Sequence, residues 1–251
     1  MTSGIDEASS PRCTAARRGF TLVELLITIG IILVLIGLIL PVIAASMKII
    51  REVKTGSIIS YIGIGLETFK QDFKFYPPSS PGSSFNEAWG LGSGAEALRF
   101  YLMGGSDEGW PHDNQWPDQS AAGIGAPRKG PYADPKLAAD AETYFYDGFE
   151  PPILILYWSA NPTERNASDV YVMADNPDYG NLRYDFYHML CGNKSGGAPP
   201  VNSDTYILLS AGIDRQWGYR NPDGGAVGPD SFSANCDDIG NFKPFTSAVA
   251  E

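Results

Sequence analysis

One apolar run near the N-terminus dominates the hydrophobic pattern of the chain. From Phe20 to Met47, which is 28 residues, only Glu24 carries a charge. As a helix this run would measure about 42 Å at about 1.5 Å per residue, more than a hydrocarbon core of about 30 Å requires. Arg17 and Arg18 precede it directly. Since basic residues flank the cytoplasmic end of a membrane helix, the pattern predicts a single span with its N-terminus inside.

After Met47 the pattern becomes amphipathic and helical. Mostly apolar and small residues fall on or near one stripe at three- and four-residue steps: Ile50, Val53, Ser57, Tyr61, Ile64, Thr68, Phe69, Asp72 and Phe73. The prolines in Tyr76-Pro77-Pro78 cannot continue a helix. The two patterns together predict one helix of about 55 residues that Pro41 kinks or locally unwinds.

The remainder of the chain alternates loops with short strand-like runs. Residues 77–141 are rich in Gly, Pro, Ser and Trp and contain one predicted helix, Ala95–Met103. Four runs have strand character: Tyr144–Phe149, Ile153–Ser159, Val170–Ala174 and Thr205–Leu209. Of these, Ile153–Ser159 is apolar enough to be the central strand. An α+β fold follows, in which the long helix packs on a small antiparallel sheet.

This pattern divides the chain into five segments. They are a leader (1–19), a membrane-spanning helix (20–47), its amphipathic continuation (48–76), a loop-rich insertion (77–141) and a sheet-forming region (142–251).

Glu24 is the unusual residue of the apolar run. A charge inside such a helix costs about 2.5–3.5 kcal/mol and is normally paired. Cleavage between Gly19 and Phe20 would create an α-amino group that pairs with Glu24 of the same or a neighbouring chain. Two alternatives stay open. Glu24 snorkels to the membrane surface in a plain signal anchor, or an ordinary secretory signal is cut before Ala45.

The residues from Arg17 to Glu24, Arg-Arg-Gly-Phe-Thr-Leu-Val-Glu, resemble the cleavage and methylation motif of type IV pilins and type II secretion pseudopilins. The resemblance implies that a prepilin peptidase cuts after Gly19 and N-methylates Phe20. It implies that Glu24 sets the registry between subunits during assembly. It also implies the pilin-like fold, a long N-terminal helix on a small antiparallel sheet. The stretch Phe69–Tyr76 resembles the end of the long helix in major pseudopilins.

For function, the resemblance implies a structural subunit of a type II secretion pseudopilus. The expected partners are further copies in a helical filament, the prepilin peptidase, other pseudopilins and an inner-membrane assembly platform. The expected location is the inner membrane, with the N-terminus cytoplasmic and the C-terminal domain periplasmic. The alternatives are a type IV pilus subunit that plays no part in secretion, and a membrane-anchored exported binding domain or enzyme.

The net charge and the absence of known catalytic motifs reduce the number of possible functions. The net charge is −11, which argues against binding nucleic acid, because that needs a basic face. The sequence contains no G-x-S-x-G, no H-E-x-x-H and no phosphate-binding loop. We therefore expect no enzymatic activity and assign no catalytic residue.

Two acidic stretches near the C-terminus form a second candidate site. They are Ser210-Ala211-Gly212-Ile213-Asp214 and Asp237-Asp238-Ile239-Gly240-Asn241-Phe242. Composition alone favours solvated carboxylates in Gly-rich turns. The paired stretches resemble the C-terminal calcium loop of major pseudopilins, although the gap between them is longer here. The resemblance implies a structural Ca²⁺ held by Asp214, Asp237 and Asp238, with Ser210 as a further ligand.

Cysteines and tryptophans leave alternatives open. Cys191 and Cys236 would form a disulfide outside the cytoplasm or remain two thiols. Trp89, Trp110 and Trp116 would form a sugar- or peptide-binding surface, or would pin the long insertion to the core, which we favour.

Overall fold

A computed structural model describes ten parts of the chain. They are residues 20–104, 109–111, 128–134, 144–179, 186–187, 190, 200–213, 215, 217 and 238–242. Its helices are α1 (Leu22–Phe73), α2 (Ser84–Trp89), α3 (Gly94–Met103) and α4 (Ala167–Val170). Its strands are β1 (Trp110–Pro111), β2 (Arg128–Lys129), β3 (Leu156–Ser159), β4 (Tyr206–Ser210) and β5 (Ile239–Gly240). Two single 3₁₀ turns cover Met173–Asp175 and Pro177–Tyr179. The α+β, pilin-like fold class is confirmed.

The chain divides after Met47 into two compact units. In the first unit the large apolar side chains of α1 are exposed, from 79% for Leu22 to 45% for Met47. Within the described residues, α1 is the one helix long and apolar enough to cross a membrane, with a mean hydropathy of 3.1 over its most apolar stretch. Pro41 lies inside this helix, which continues on both sides of it, so the expected local unwinding is not found.

The long helix ends at Phe73, three residues before the predicted end. Lys74 adopts a left-handed backbone conformation, with φ of 71°. Its N–H still donates to the carbonyl of Lys70 at 2.8 Å, and its Nζ donates to the carbonyl of Gln71 at 2.6 Å. These two bonds satisfy carbonyls that the helix end would leave unpaired. The chain therefore turns before Pro77 is reached.

The three strands β3, β4 and β5 form one antiparallel sheet with β4 in the middle. Leu156 pairs with Leu209 and Ser159 with Tyr206, while Ser210 pairs with Ile239. All five residues of β4 are buried. The expectation that Ile153–Ser159 is the central strand is therefore wrong. Its apolar character reflects burial of both its faces by the two cores. The residues just before β3 also pair on the edge away from β4, since the N–H of Ile155 donates to the Phe145 carbonyl at 2.8 Å.

Two other expected strands are absent from the described residues. Tyr144–Phe149 forms only a single bridge, from Tyr146 to Leu154. Val170–Ala174 falls between α4 and a 3₁₀ turn. Local hydrogen bonds prevail over strand propensity here, since the N–H groups of Asp169 and Val170 both donate to the Asn166 carbonyl at 2.9 Å.

Each face of the sheet covers its own core. On one face, the second half of α1 packs with α3 and with the side chains of Tyr157 and Leu208. The buried helix positions are Ile58, Ile59, Ile62, Leu66 and Phe69. On the other face, Trp158 and Ile207 join an aromatic cluster of Tyr171, Tyr179 and Phe186. This alternation follows from the two-residue period of a strand.

The insertion is more ordered than its composition predicted. It contains α2 in addition to α3, and each helix begins with a serine cap, Ser83 and Ser93. Trp110 is buried and its Nε1 donates to the Tyr101 carbonyl at 2.8 Å, so this tryptophan does pin the insertion to the core. Trp89 is 39% exposed, with its ring 5.1 Å from that of Phe100. Trp116 lies outside the described residues.

One buried hydrogen bond joins the helix to the turn before β3. The N–H of Gly148 donates to Oγ1 of Thr55 at 2.9 Å, and the Thr55 side chain is fully buried. Removing one partner of such a bond leaves the other without compensation for its lost water.

We expect Thr55→Val to lower the free energy of unfolding by about 1–3 kcal/mol, because the Gly148 N–H loses its acceptor inside the core. The matched control is Thr68→Val. Thr68 is exposed and only donates to the Ile64 carbonyl within its own helix, at 2.8 Å. Urea unfolding of the detergent-solubilised chain, followed by tryptophan fluorescence, measures both variants. Equal midpoints for the two would contradict a special role for Thr55.

Candidate functional site

The first candidate site is the start of α1. Phe20 and Thr21 precede the helix, and Phe20 is 76% exposed. The N–H of Glu24 donates to Oγ1 of Thr21 at 3.2 Å, and the N–H of Leu25 donates to the Thr21 carbonyl, also at 3.2 Å. Thr21 is thus the N-cap, and Glu24 is the third helical residue.

This geometry gives Glu24 a second structural role, at the start of α1. Thr-x-x-Glu is the spacing of a capping box, in which the threonine caps the helix and the glutamate lies in its first turn. A carboxylate there also interacts favourably with the positive end of the helix dipole. Sequence reasoning missed this role, although the spacing of Thr21 and Glu24 could have shown it.

Gly19, the predicted cleavage residue, lies outside the described residues. Because the helix begins at Leu22, both residues that follow the predicted cleavage point are non-helical.

Residues 14–40 match the family model described as the prokaryotic N-terminal methylation motif. The match spans the basic pair, Gly19, Phe20 and Glu24, and most of the apolar run. It supports a type IV pilin-like superfamily, with processing by a prepilin peptidase and assembly with other pilin-like subunits. It is also consistent with membrane anchoring through α1. No curated protein and no solved structure matches the chain.

The second candidate site lies where β4 ends. Ser210 is buried and stands opposite Ile239, so Asp238 is one residue from its register partner. Ser210 Oγ donates to Oδ2 of Asp147 at 2.9 Å. The register thus places the backbone of Asp238 one residue from the partner of Ser210, and the structure adds Asp147, which sequence reasoning missed.

Asp147 organises the turn that approaches this site. Its Oδ1 accepts hydrogen bonds from the N–H groups of Phe149, at 3.2 Å, and Ile153, at 3.1 Å. Asp147 and Asp238 are 6% and 7% exposed. An aspartate just before a glycine, followed by a proline pair, was the available signal for such a turn.

The donors brought together here are all oxygens, which is the set that Ca²⁺ prefers. Asp214 and Asp237, two of the predicted ligands, lie outside the described residues. Within the described residues, no three His, Cys, Asp or Glu side chains are grouped as metal ligands. The described part therefore contains one carboxylate and one hydroxyl in contact, Asp147 and Ser210, and a second buried carboxylate, Asp238. Cys191 and Cys236, which would form a disulfide or remain two thiols, also lie outside it.

Asn241 explains why the second acidic stretch continues with an asparagine. Its Oδ1 accepts from the Leu208 N–H at 2.9 Å, and its Nδ2 donates to the Tyr206 carbonyl at 3.1 Å. The side chain thereby continues the β4–β5 hydrogen bonding beyond the last residue of the strand. This bracing holds Asp238 and Ile239 against the end of β4.

A third carboxylate, Asp175, has a structural role. Its Oδ2 accepts from Ser79 Oγ at 2.6 Å, and the Ser79 N–H donates to Ser159 Oγ at 3.0 Å. Burial raises the pKa of Asp175, and the Ser79 hydrogen bond opposes that rise. These bonds tie the segment after α1 to the end of β3.

We expect Asp147→Ala to cost about 3 kcal/mol of unfolding free energy, because two backbone N–H groups and the Ser210 hydroxyl lose one shared acceptor. Asp147→Asn keeps an oxygen for the backbone donors and should cost about 1 kcal/mol. Asp169→Ala, at an exposed aspartate, is the control and should change little. Urea midpoints at constant m-value provide the measurement. If alanine and asparagine are equally tolerated, Asp147 does not organise this turn.

Proposed function

We propose that the chain is a pseudopilin, a structural subunit of a type II secretion pseudopilus. Prepilin peptidase cleaves it after Gly19 and methylates Phe20, and the product assembles into a periplasmic filament that supports protein secretion. One observation carries the proposal. The matched methylation motif stands at the start of a helix whose apolar side chains are exposed.

The exposed first half of α1 needs a non-aqueous environment at every stage. Lipid covers it in the membrane, and only other apolar helices can cover it in a filament. Packing between helices then replaces their contacts with lipid. Replacing lipid contacts by helix contacts favours assembly of many identical copies, because each copy has the same apolar helix surface for its neighbours to contact.

Glu24 sets the registry in this proposal. In a filament, its carboxylate pairs with the α-amino group of Phe20 in a neighbouring copy. An ion pair in an apolar environment tolerates little displacement, because an unpaired charge there is costly. One axial offset between helices is therefore favoured.

The charge pattern supports an orientation. Arg17 and Arg18 lie on the cytoplasmic side of the inner membrane, and the sheet-containing unit lies in the periplasm. The partners are the prepilin peptidase, other pseudopilins and the inner-membrane assembly platform. The acidic net charge of −11 supports the absence of a nucleic-acid partner.

The C-terminal site is the feature that favours a secretion pseudopilin over a type IV pilus subunit or a membrane-anchored binding domain. We propose that Asp214, Asp237 and Asp238, with Ser210, hold a structural Ca²⁺ near the end of β4. Asp147, hydrogen-bonded to Ser210, orients that hydroxyl. The ion would tie the acidic segments to the sheet and stabilise the folded subunit.

Glu24→Ala and Glu24→Gln test the assembly role. We expect leader cleavage and Phe20 methylation to remain, since the cleavage point is unchanged, and filaments recovered from the periplasm to fall by about tenfold or more, equivalent to about 1.4 kcal/mol. Glu164→Gln, at an exposed glutamate of the second unit, is the control. Intact mass and N-terminal sequence of protein from native membranes measure processing.

Three results would contradict the proposal. Normal assembly of Glu24→Ala removes the role given to that carboxylate. A mature protein that begins at Ala45 indicates an ordinary secretory signal. An uncut Met1 indicates a plain signal anchor.

Calcium removal tests the second site. An ion present at a hundred times its dissociation constant stabilises the folded state by about 2.7 kcal/mol. For a chain of this size, EGTA should then lower the melting temperature by about 5–10 °C. In the double variant Asp214→Asn/Asp238→Asn, we expect EGTA to have no effect. A wild-type melting temperature that EGTA leaves unchanged would contradict calcium binding.

A further inference from the structure

An exposed loop leads from β3 to α4, and residues 161–166 of this loop are all exposed. Two backbone hydrogen bonds hold its base. The N–H of Ala160 donates to the Thr205 carbonyl at 2.9 Å, and the N–H of Asn161 donates to the Val170 carbonyl, also at 2.9 Å. Val170 itself is buried. The base of the loop is therefore fixed to the core, while the residues between face water.

This loop ends in an acceptor pattern for an N-linked glycan, Asn166-Ala167-Ser168. The pattern is asparagine, then any residue except proline, then serine or threonine. Glu164 lies two residues before the asparagine, which matches the longer, acidic form of the pattern that bacterial transferases use. Asn166 and Glu164 are both exposed, as groups that an enzyme contacts have to be.

The second asparagine of the loop is a near match. It stands in Asn161-Pro162-Thr163, which the proline disqualifies. Its Oδ1 accepts from the N–H of Thr163 at 3.2 Å and from Thr163 Oγ1 at 2.7 Å, so the side chain closes a local turn. A further match, at Asn193, lies outside the described residues and has Cys191 in place of the acidic residue. The loop thus contains one full pattern and one internal control.

The polar groups of the full pattern make contacts that are exposed to solvent. Asn166 Nδ2 donates to Oδ2 of Asp169 at 3.1 Å, and Ser168 Oγ donates to Oδ1 of the same carboxylate at 3.3 Å. Asp169 is exposed, so water or groups of an enzyme can replace both bonds with little net loss of free energy. The amide and the hydroxyl that a transferase needs are therefore accessible together.

An enzyme that contacts the asparagine and the serine at once needs this stretch free of α4. One turn has to open, and it is closed by the N–H groups of Asp169 and Val170, which both donate to the Asn166 carbonyl at 2.9 Å. The helix has only four residues, and so short a helix gains little from its own hydrogen bonds. Segments with few buried contacts open locally at low free energy. The loop can therefore present its acceptor while β3 and β4 stay folded.

We propose that Asn166 is an N-glycosylation site, modified in the periplasm by a transferase that uses a lipid-diphosphate-linked oligosaccharide. This modification goes beyond the proposed function but rests on the orientation given there, because the loop has to face the compartment that holds the donor. The helix α1 would keep the chain in the membrane that carries this lipid. The glycan has no part in filament assembly here, so Glu164→Gln stays a valid control for that process.

The transfer forms one bond and breaks one bond. Nδ2 of Asn166 attacks C1 of the first sugar, and the new bond joins Nδ2 to C1. The bond from C1 to the diphosphate oxygen breaks, and the lipid diphosphate leaves with the electron pair. One proton of Nδ2 passes to a base of the transferase, and nothing is oxidised or reduced. The Ser168 hydroxyl and the Glu164 carboxylate do not react, and they give the transferase two groups to bind.

Glycopeptide mass spectrometry of the full chain from native membranes tests the proposal. Trypsin cuts after Arg165 and so places Asn161 and Asn166 on different peptides. We expect an added mass that contains hexose or hexosamine on Asn166, located by fragmentation that leaves the glycan attached, and none on Asn161. An unmodified Asn166 in the native chain would overturn the inference.

Variants test whether the acceptor pattern, and not exposure alone, decides the modification. We expect Ser168→Ala and Asn166→Gln to lose the glycan completely, and Ser168→Thr and Asn161→Gln to keep it, since threonine completes the same pattern and Asn161 is not an acceptor. Recovery of the threonine variant with its glycan shows that a change at this position leaves the chain folded and exported. A glycan that persists on Asn166 in Ser168→Ala contradicts recognition through the pattern.

The N-terminus, measured on the same sample, separates this inference from the proposed function. Methylated Phe20 together with an unmodified Asn166 overturns the inference while the proposed function stands. A glycan on Asn166 in a chain that still begins at Met1 supports the inference and overturns the proposed function.

Discussion

Every part of this molecule depends on how one long helix is kept out of water. The first half of α1 exposes apolar side chains around its whole circumference, and the second half buries one side against α3 and the sheet. Water is a poor environment for the first half because exposed apolar surface is unfavourable roughly in proportion to its area. A folded monomer in solution therefore shields apolar side chains from water only in the second half of this helix.

A short series of polar contacts holds the second half of α1 against the rest of its unit. Thr55 of α1 accepts from Gly148, the neighbouring Asp147 accepts from Ser210, and Ser210 stands opposite Ile239 of β5. These contacts connect the helix, the turn before β3 and the end of the sheet within one buried cluster. Apolar contacts supply most of the packing, and this cluster selects one position of the helix on the sheet.

The sequence pattern predicted that the helix, α3 and the strands β3 and β4 exist. It marked the wrong face of α1 over most of its length, because Val53, Tyr61 and Ile64 of the predicted stripe are exposed. The buried face is formed instead by Ile58, Ile59 and Ile62. The pattern also failed where local hydrogen bonds or tertiary position decided the outcome. Val170–Ala174 has strand-like side chains, but the Asn166 carbonyl accepts hydrogen bonds from the N–H groups of Asp169 and Val170. Ile153–Ser159 looked central because both its faces are buried. Glu24 and Ser210 could be singled out from motifs. The contact between Asp147 and Ser210 could not, because the two residues are 63 positions apart in the sequence.

The cap on α1 bears on what maturation changes. Thr21 lies on the C-terminal side of the predicted cleavage point, so the residue that starts the helix belongs to both the precursor and the processed chain. Both forms therefore carry the threonine side chain that caps the helix. In the proposed maturation, proteolysis acts on electrostatics alone. It removes a leader of net charge +1 and installs a single amine in its place, beside a helix end that was already built. Removal of the leader would therefore change the charge beside this helix start without removing the residue that caps it.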